Sequence, residues 1–425
     1  MKTMKAMKIK YLASVLAITL AFTACSTEHD IPDIKPETGQ WCGTIAEYSI
    51  TTDDMINLIK TAVPDIKDVA DMISAYLCDV NVAKLKYTTT NPEGNVIEAS
   101  GFITYPSEMT EYNHILSIQH GTMDVDGGPT DQVFPIETIP VFNEEMVVMA
   151  DLLGYGVSKT EDMKNTYMHA KTTGTACADM IQAAKQYLDT KKDLLCTADS
   201  VRLIGYSQGG QATMATLFEL ERRGLGKKIS LVWAGAGPYD MTAFLKESIG
   251  NPTSRKNGYI VHSIEGVMNG DGVVLDRRNI YAPEMFDKSG ELVVNKRVLS
   301  EWPDIIGADI HKILHENFFK ENYGGESTDV YKLMQHMNAN SVVNIKDKLS
   351  DNVHIRFYHN PEDTYVPYCC ATSALEKWKD NSELIDLTLG KDHPANGAEF
   401  LFEYLGEDYD ILKYIVVPLI NEVLN

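Results

Sequence analysis

Ser207 stands in the middle of Gly205-Tyr206-Ser207-Gln208-Gly209-Gly210. That spacing suits a serine held clear of the backbone on a tight strand-to-helix turn, which flanking glycines permit because they carry no Cβ. A serine hydroxyl is a weak nucleophile near neutral pH. Its chemistry therefore needs a base to take the proton and a carboxylate to orient the base. It also needs two backbone N–H groups to receive the charge that develops on a carbonyl oxygen under attack. The residue after the serine, Gln208, is predicted to supply one of them.

Such a turn requires a buried strand running in and a helix running out, and both are legible around Ser207. Val201, Leu203 and Ile204 form the apolar run. Residues 211–223 read as a helix with Met214, Leu217, Phe218 and Leu220 on one side, stopped by Gly224. Gly209, Gly210 and Ala212 would let that helix approach the strand closely. Upstream, residues 84–89 and 96–105 are β-rich and flank Asn91-Pro92-Glu93-Gly94-Asn95, which predicts a hairpin. Strand and helix patterns then alternate, with strands at 115–119, 146–150 and 229–234 and a helix at 176–188. Beyond residue 350 come a strand at 353–358, a helix through 379, a strand at 384–389 and a last helix from 398. Helix-length spacers between strands imply βαβ crossovers and a mostly parallel, doubly wound sheet, whose ligands bind at the carboxyl ends of the strands.

Two stretches fall outside that alternation. Residues 41–80, with helical patterns at 55–62 and 69–77 broken near Pro64, are predicted to form a helical N-terminal extension. Residues 241–345 have mixed periodicity, including a strand-like 259–264, and are too many for a loop; they are expected to be a cap inserted over the sheet. The main body is then 81–240 together with 346–425.

The topology says where the partners of Ser207 should lie. The carboxylate should follow a late strand and the histidine the last one. After 353–358 comes His359-Asn360-Pro361-Glu362-Asp363, and after 384–389 comes Gly390-Lys391-Asp392-His393-Pro394. Asp363 is the candidate acid, with Glu362 and Asp392 as neighbours to weigh against it. His393 is the candidate base among 11 histidines, with His359 as runner-up. The second N–H should come from the loop after His120-Gly121, from Thr122 first and Met123 second.

Sixty acidic against 38 basic residues give a net charge of −22 over 425 residues, which argues against nucleic acid as a partner. Residues 1–24 carry four lysines, no acid and an apolar run too short to span a bilayer comfortably, as in a secretory signal. Phe22-Thr23-Ala24-Cys25 resembles the lipobox of bacterial lipoproteins, with Phe22 departing from the usual leucine. That resemblance implies lipidation of Cys25 and attachment to the bacterial cell envelope, with the periplasmic and surface faces of the outer membrane both open. The polar stretch that follows, with Glu28, Asp30, Asp33, Glu37 and two prolines, reads as a tether over 25–40. An ordinary cleavage site beside an accidental cysteine is the alternative. Among the other six cysteines, Cys42 with Cys78 and Cys177 with Cys196 are near enough to consider as disulfides, though spacing assigns neither. No Cys/His spacing suits a metal, and no cofactor is expected.

Together, the hairpin with Tyr87-Thr88-Thr89 and Gly94, Gln119-His120-Gly121, Asp151 with Gly154 and Gly156, the Ser207 hexapeptide and the Asp363 and His393 turns resemble the α/β-hydrolase superfamily. Within it they are similar to the secretory lipase-like esterases, over roughly 82–240 and 346–425. Asp363 four residues before Pro367 matches the Asp-x-x-Val-Pro turn of that superfamily, whereas Asn360 stands where many relatives have glycine. The resemblance implies an α/β-hydrolase fold and a metal-free Ser207-Asp363-His393 triad that cleaves carboxylic esters through an acyl-enzyme. The expected substrate is a small-molecule, lipid or carbohydrate ester. The same triad serves amidases and prolyl-peptidase-like enzymes, and a scaffold of this kind can also survive as a binding protein without catalysis.

Overall fold

The computed structural model describes residues 37–62, 73–124, 127–160, 164–295, 297 and 299–423. The segment expected to be a signal, Cys25 and the part of the expected tether up to residue 36 lie outside the described residues. Among those described, no helix is long and apolar enough to cross a membrane.

The first strand pairs are antiparallel. Strand β1 (Trp41–Ile50) leads into helix α1 (Thr52–Ala62), and β2 (Val80–Thr90) and β3 (Val96–Pro106) form the expected hairpin. Strands β4 (Glu111–Gln119), β5 (Val147–Ala150), β6 (Leu195–Tyr206) and β7 (Ile229–Gly235) follow, with α2 (Ala170–Leu188) before β6 and α3 (Gln208–Arg222) after it. Between β7 and the next strand lie α4 (Met241–Gly250), α5 (Ser254–Gly270), α6 (Trp302–Ile306) and α7 (Asp329–Ala339). The chain then closes with β8 (Ile355–His359), α8 (Cys369–Lys377), β9 (Ser382–Asp386), α9 (His393–Leu405) and α10 (Asp410–Val423). Among the described residues the sheet has nine strands, ordered β1-β2-β3-β5-β4-β6-β7-β8-β9, and every neighbouring pair from β5 to β9 is parallel.

Successive residues of a strand point to opposite faces, and both faces of this sheet are covered. Leu116, Ile118, Val147 and Met149 pack with Phe400 and Leu401 of α9, while Ile115, Val148 and Ala150 pack with Met180 and Ala183 of α2. That double coverage explains why β5 is an unbroken buried Val-Val-Met-Ala run. The chain runs from β4 to β5 on one side and then crosses to β6 on the other. This reversal at β4 opens a crevice at the carboxyl ends, where a doubly wound sheet binds its ligands. The inserted segment has its own apolar core, including Met241, Phe244, Ile260, Ile264, Leu333 and Met337.

Several expectations are corrected. The 41–80 segment opens as a strand: residues 41–50 add to the free edge of the hairpin, with Tyr48 opposite Val82 and Ile50 opposite Val80. Residues 259–264 are helical within α5. Ile260, Val261, Ile264, Val267 and Met268 recur at helical spacing on its buried face, and Thr253 caps its start by accepting from Lys256 N. Gly266 on that helix lies against Tyr167, whose carbonyl would be 2.3 Å from an added Cβ. The last core helix begins at His393, five residues before the expected 398, because Asp392 caps it and Pro394 suits its first turn. The pairing that spacing left open is absent: all six described cysteines are free thiols, so neither Cys42 with Cys78 nor Cys177 with Cys196 is bridged.

Candidate active site

The three polar side chains singled out in the sequence meet above the crevice, each carried just past the carboxyl end of a different strand. The Ser207 hydroxyl is 2.7 Å from His393 Nε2, and His393 Nδ1 is 2.6 Å from Asp363 Oδ2. Ser207 follows β6, Asp363 lies in the turn after β8, and His393 opens α9 after β9. Residues 186 positions apart are thus brought into hydrogen-bond contact by the sheet.

The turn at Ser207 is strained. Its φ of 60° and ψ of −123° lie where a residue with a Cβ is rarely found, a cost of about 1–3 kcal/mol that the surroundings must hold. Packing supplies the constraint. A Cβ on Gly205 would lie 2.3 Å from Gly209 O, one on Gly209 2.0 Å from Gln119 O, and one on Gly210 2.3 Å from Gly235 O. The glycines therefore let the start of α3 sit against the ends of β4 and β7. Thr213 Oγ1 reinforces this by donating to Gln119 Oε1 at 2.8 Å.

The Asp363 carboxylate is fully buried. Its Oδ1 accepts from Tyr365 N at 2.8 Å and from Val366 N at 2.9 Å, which leaves Oδ2 for the imidazole. Burial alone would raise this carboxyl. The charge and hydrogen bond of His393, with His359 and the Val366 N–H, outweigh it and hold Asp363 below the usual carboxylate range. His359 lies buried beneath the turn, and its Nε2 donates to Val366 O at 3.0 Å, so it braces the acid turn. Glu362 is exposed, and Asp392 spends its carboxylate on Ala395 N at 2.9 Å as the α9 cap.

The loop after β4 is fixed from three sides. His120 Nδ1 donates to Gly121 O at 2.7 Å, Tyr155 Oη donates to Met123 O at 2.9 Å, and the Thr122 and Tyr167 hydroxyls lie 2.8 Å apart. Among the described residues, the backbone N–H groups of Gln208 and Thr122 have no acceptor.

Other supporting residues had no sequence signal of comparable strength. Glu399, buried on α9, accepts from Thr388 N, Leu389 N and Gly390 N at 3.0, 2.9 and 2.9 Å, clamping the loop that precedes His393. Asn360 bridges the acid and histidine turns, donating to Gly390 O at 2.9 Å and Asn396 Oδ1 at 3.1 Å while accepting from Glu362 N at 2.8 Å. The Tyr365 ring stacks on His393 with centroids 5.0 Å apart, and Tyr206 lies against it at 4.9 Å. Tyr365 could have been found from its place in the Asp363–Pro367 turn. Asp151 is buried behind the site, where Ser100 and Thr130 bond it. Among the described residues, no cluster of His, Cys, Asp or Glu could hold a metal ion.

No family model and no curated protein matches this chain. Solved structures do. The rice cell wall degrading esterase LipA from Xanthomonas oryzae is similar over 90% of this chain and 98% of its own, at 20% identity and a TM-score of 0.65. A putative hydrolase from Legionella pneumophila covers 85% of this chain and 96% of its own, at 19% identity and a TM-score of 0.67. Candida antarctica lipase A in its closed state covers 87% and 82%, at 15% identity and a TM-score of 0.55.

Proposed function

We propose that this chain, which has the α/β-hydrolase fold with an inserted region, is a serine hydrolase that cleaves carboxylic esters. The observation that carries the reading is the unbroken chain of contacts from Ser207 Oγ to His393 and on to Asp363, at 2.7 and 2.6 Å. The names of the similar proteins, an esterase and a lipase, agree with it.

In this reading His393 Nε2 removes the Ser207 proton as Oγ attacks the ester carbonyl carbon. The carbonyl π electrons move to oxygen, and the N–H groups of Gln208 and Thr122 receive that charge. Asp363 holds the imidazole in the tautomer that accepts at Nε2 and stabilises the imidazolium. When the tetrahedral intermediate collapses, the C–O bond to the alcohol breaks and His393 returns its proton to the departing oxygen. Water, deprotonated by the same nitrogen, then attacks the acyl-serine, releasing the acid and restoring Ser207.

Ser207→Ala is expected to abolish hydrolysis of p-nitrophenyl acetate by the purified protein. Equal turnover by parent and variant would remove Ser207 from the mechanism. Faster cleavage of aminoacyl or peptidyl amides than of matched esters would replace the esterase reading with that of a peptidase. The reading also includes export and lipidation at Cys25, supported by Phe22-Thr23-Ala24-Cys25 after an apolar run. Cys25→Ala should release the protein from membranes without an acyl label. A labelled, membrane-bound variant would refute the anchor.

A further inference from the structure

Resting on the hydrolase reading, we propose that the substrate is an acetyl-sized ester of a neutral, polyhydroxylated alcohol. Two spaces of very different size and chemistry adjoin the site, one bounded by Ser207 and one starting at Thr122, with Tyr259 common to both; they divide an ester into its acyl and alcohol halves.

The first is a small cavity of about 10 Å³ bounded by Ser207 and walled by Tyr167, Phe244, Tyr259, Tyr365 and Val366. That volume is about what one water molecule needs, so it admits a methyl group and little more. Its walls are not loose. Tyr167, Phe244 and Val366 are buried in the apolar core of the insertion, and Tyr365 is stacked between His393 and the Arg255 guanidinium, which lies 5.2 Å from its centroid. Protein interiors resist such expansion, so each further methylene of an acyl chain has to displace packed side chains.

The second space is a cleft of about 490 Å³ that starts at Thr122 and shares the Tyr259 wall. Asp124, Ser254, Arg255, Ser300 and Asp304 line it. Among the described residues, the side chains of Ser254, Arg255, Ser300 and Asp304 make no hydrogen bond or ion pair with one another or with the rest of the protein. They offer donors, acceptors and hydroxyls to a ligand, with the Tyr259 ring as an apolar platform. Two carboxylates against one guanidinium make the cleft net negative, which disfavours a phosphorylated or carboxylated alcohol. Neighbouring hydroxyls that both donate and accept fit this lining, as does the stacking face of a sugar-like ring. With the carbonyl oxygen at the proposed Thr122 donor, the acyl and alcohol groups are left to the two spaces, and only an acetyl-sized acyl group fits the smaller, which leaves the cleft to the alcohol.

The test uses the purified full-length protein and compares kcat/KM for p-nitrophenyl acetate, butyrate and octanoate, and for a methyl glucoside monoacetate against ethyl acetate. Acetate is expected to exceed butyrate by about tenfold or more, with octanoate lower still, because one methylene too many costs a tight pocket on the order of 10-fold. The glucoside acetate is expected to exceed ethyl acetate by about tenfold, and Arg255→Gln and Asp304→Asn should each shrink that ratio. Phe244→Ala, or the milder Phe244→Leu should the first not fold, is expected to raise butyrate relative to acetate. Octanoate equal to or above acetate overturns the acyl half, and a glucoside acetate no better than ethyl acetate overturns the alcohol half. Both of those outcomes presuppose turnover that depends on Ser207. If no ester is cleaved and Ser207 takes up no fluorophosphonate, the hydrolase reading itself has failed and takes this proposal with it.

Discussion

Asn360 offers the sharpest test of how the Asp363 and His393 turns are held together. Its side chain makes three hydrogen bonds, to Gly390 O, Asn396 Oδ1 and Glu362 N, and it is buried. Asn360→Ala removes all three. At about 1 kcal/mol net for each, the loss is about 3 kcal/mol, and the rotamer freedom regained is roughly offset by leaving the buried Gly390 carbonyl without a donor. The variant should therefore unfold at a clearly lower urea concentration. Activity should fall as well. Gly390 lies three residues before His393, and Asn360 three before Asp363, so the bridge fixes the Nδ1–Oδ2 contact of 2.6 Å. A displacement of about 1 Å in such a constellation can cost about 100-fold in rate. The expectation is a kcat lowered by about tenfold to hundredfold with KM little changed, measured on p-nitrophenyl acetate at a temperature where the variant is folded. Parent-like kcat in a folded variant would refute the claim that Asn360 positions the triad, and a parent-like unfolding midpoint would refute the hydrogen-bond accounting.

Gly209→Ala forces a Cβ to within 2.0 Å of Gln119 O, a backbone atom that cannot swing aside; soluble protein should be lost or nearly inactive, and normal yield with normal activity would contradict the packing at the turn. Asp363→Asn keeps the shape but cannot hold the imidazole in the accepting tautomer, so kcat should drop by about a thousandfold or more, and a loss below tenfold would remove Asp363 from the mechanism. Asp271 joins the insertion to the main body, with His169 Nε2 at 3.0 Å and His336 Nδ1 at 2.9 Å. Burial would raise its carboxyl, but the two imidazoles bring it below the usual range. A carboxyl depressed in the folded state stabilises the protein above its unfolded pKa, and that stability is lost as pH falls through the folded value. Thermal unfolding across acidic pH should therefore show a steeper loss in the parent than in Asp271→Asn, and parallel curves would sink the assignment.

The catalytic candidates were legible because each stands where chain topology and residue type agree: Ser207 between glycines after an apolar run, Asp363 after β8 and His393 after β9. What the sequence hid depends on contacts between distant segments. Residues 41–50 carry no strong apolar stripe, and they become a strand because the hairpin edge of β2 is unpaired without them. Residues 259–264 look strand-like through Tyr259, Ile260 and Val261, but burial at helical spacing against the insertion core overrides that local preference. The start of α9 was readable in Asp392-His393-Pro394, a cap followed by a first-turn proline. Glu399 could not be recognised as a clamp, since its three partners are backbone N–H groups of a loop 9–11 residues away. The departure from glycine at Asn360 acquires a physical reason only once Gly390 and Asn396 are seen beside it.

The central claim is that Ser207 is the residue that becomes acylated. Incubation with a fluorophosphonate followed by intact-mass and peptide mass spectrometry tests it directly. The account predicts one adduct per chain, located on the peptide containing Gly205-Tyr206-Ser207 and absent from Ser207→Ala. An adduct on another residue, or ester hydrolysis that persists in Ser207→Ala, would contradict it.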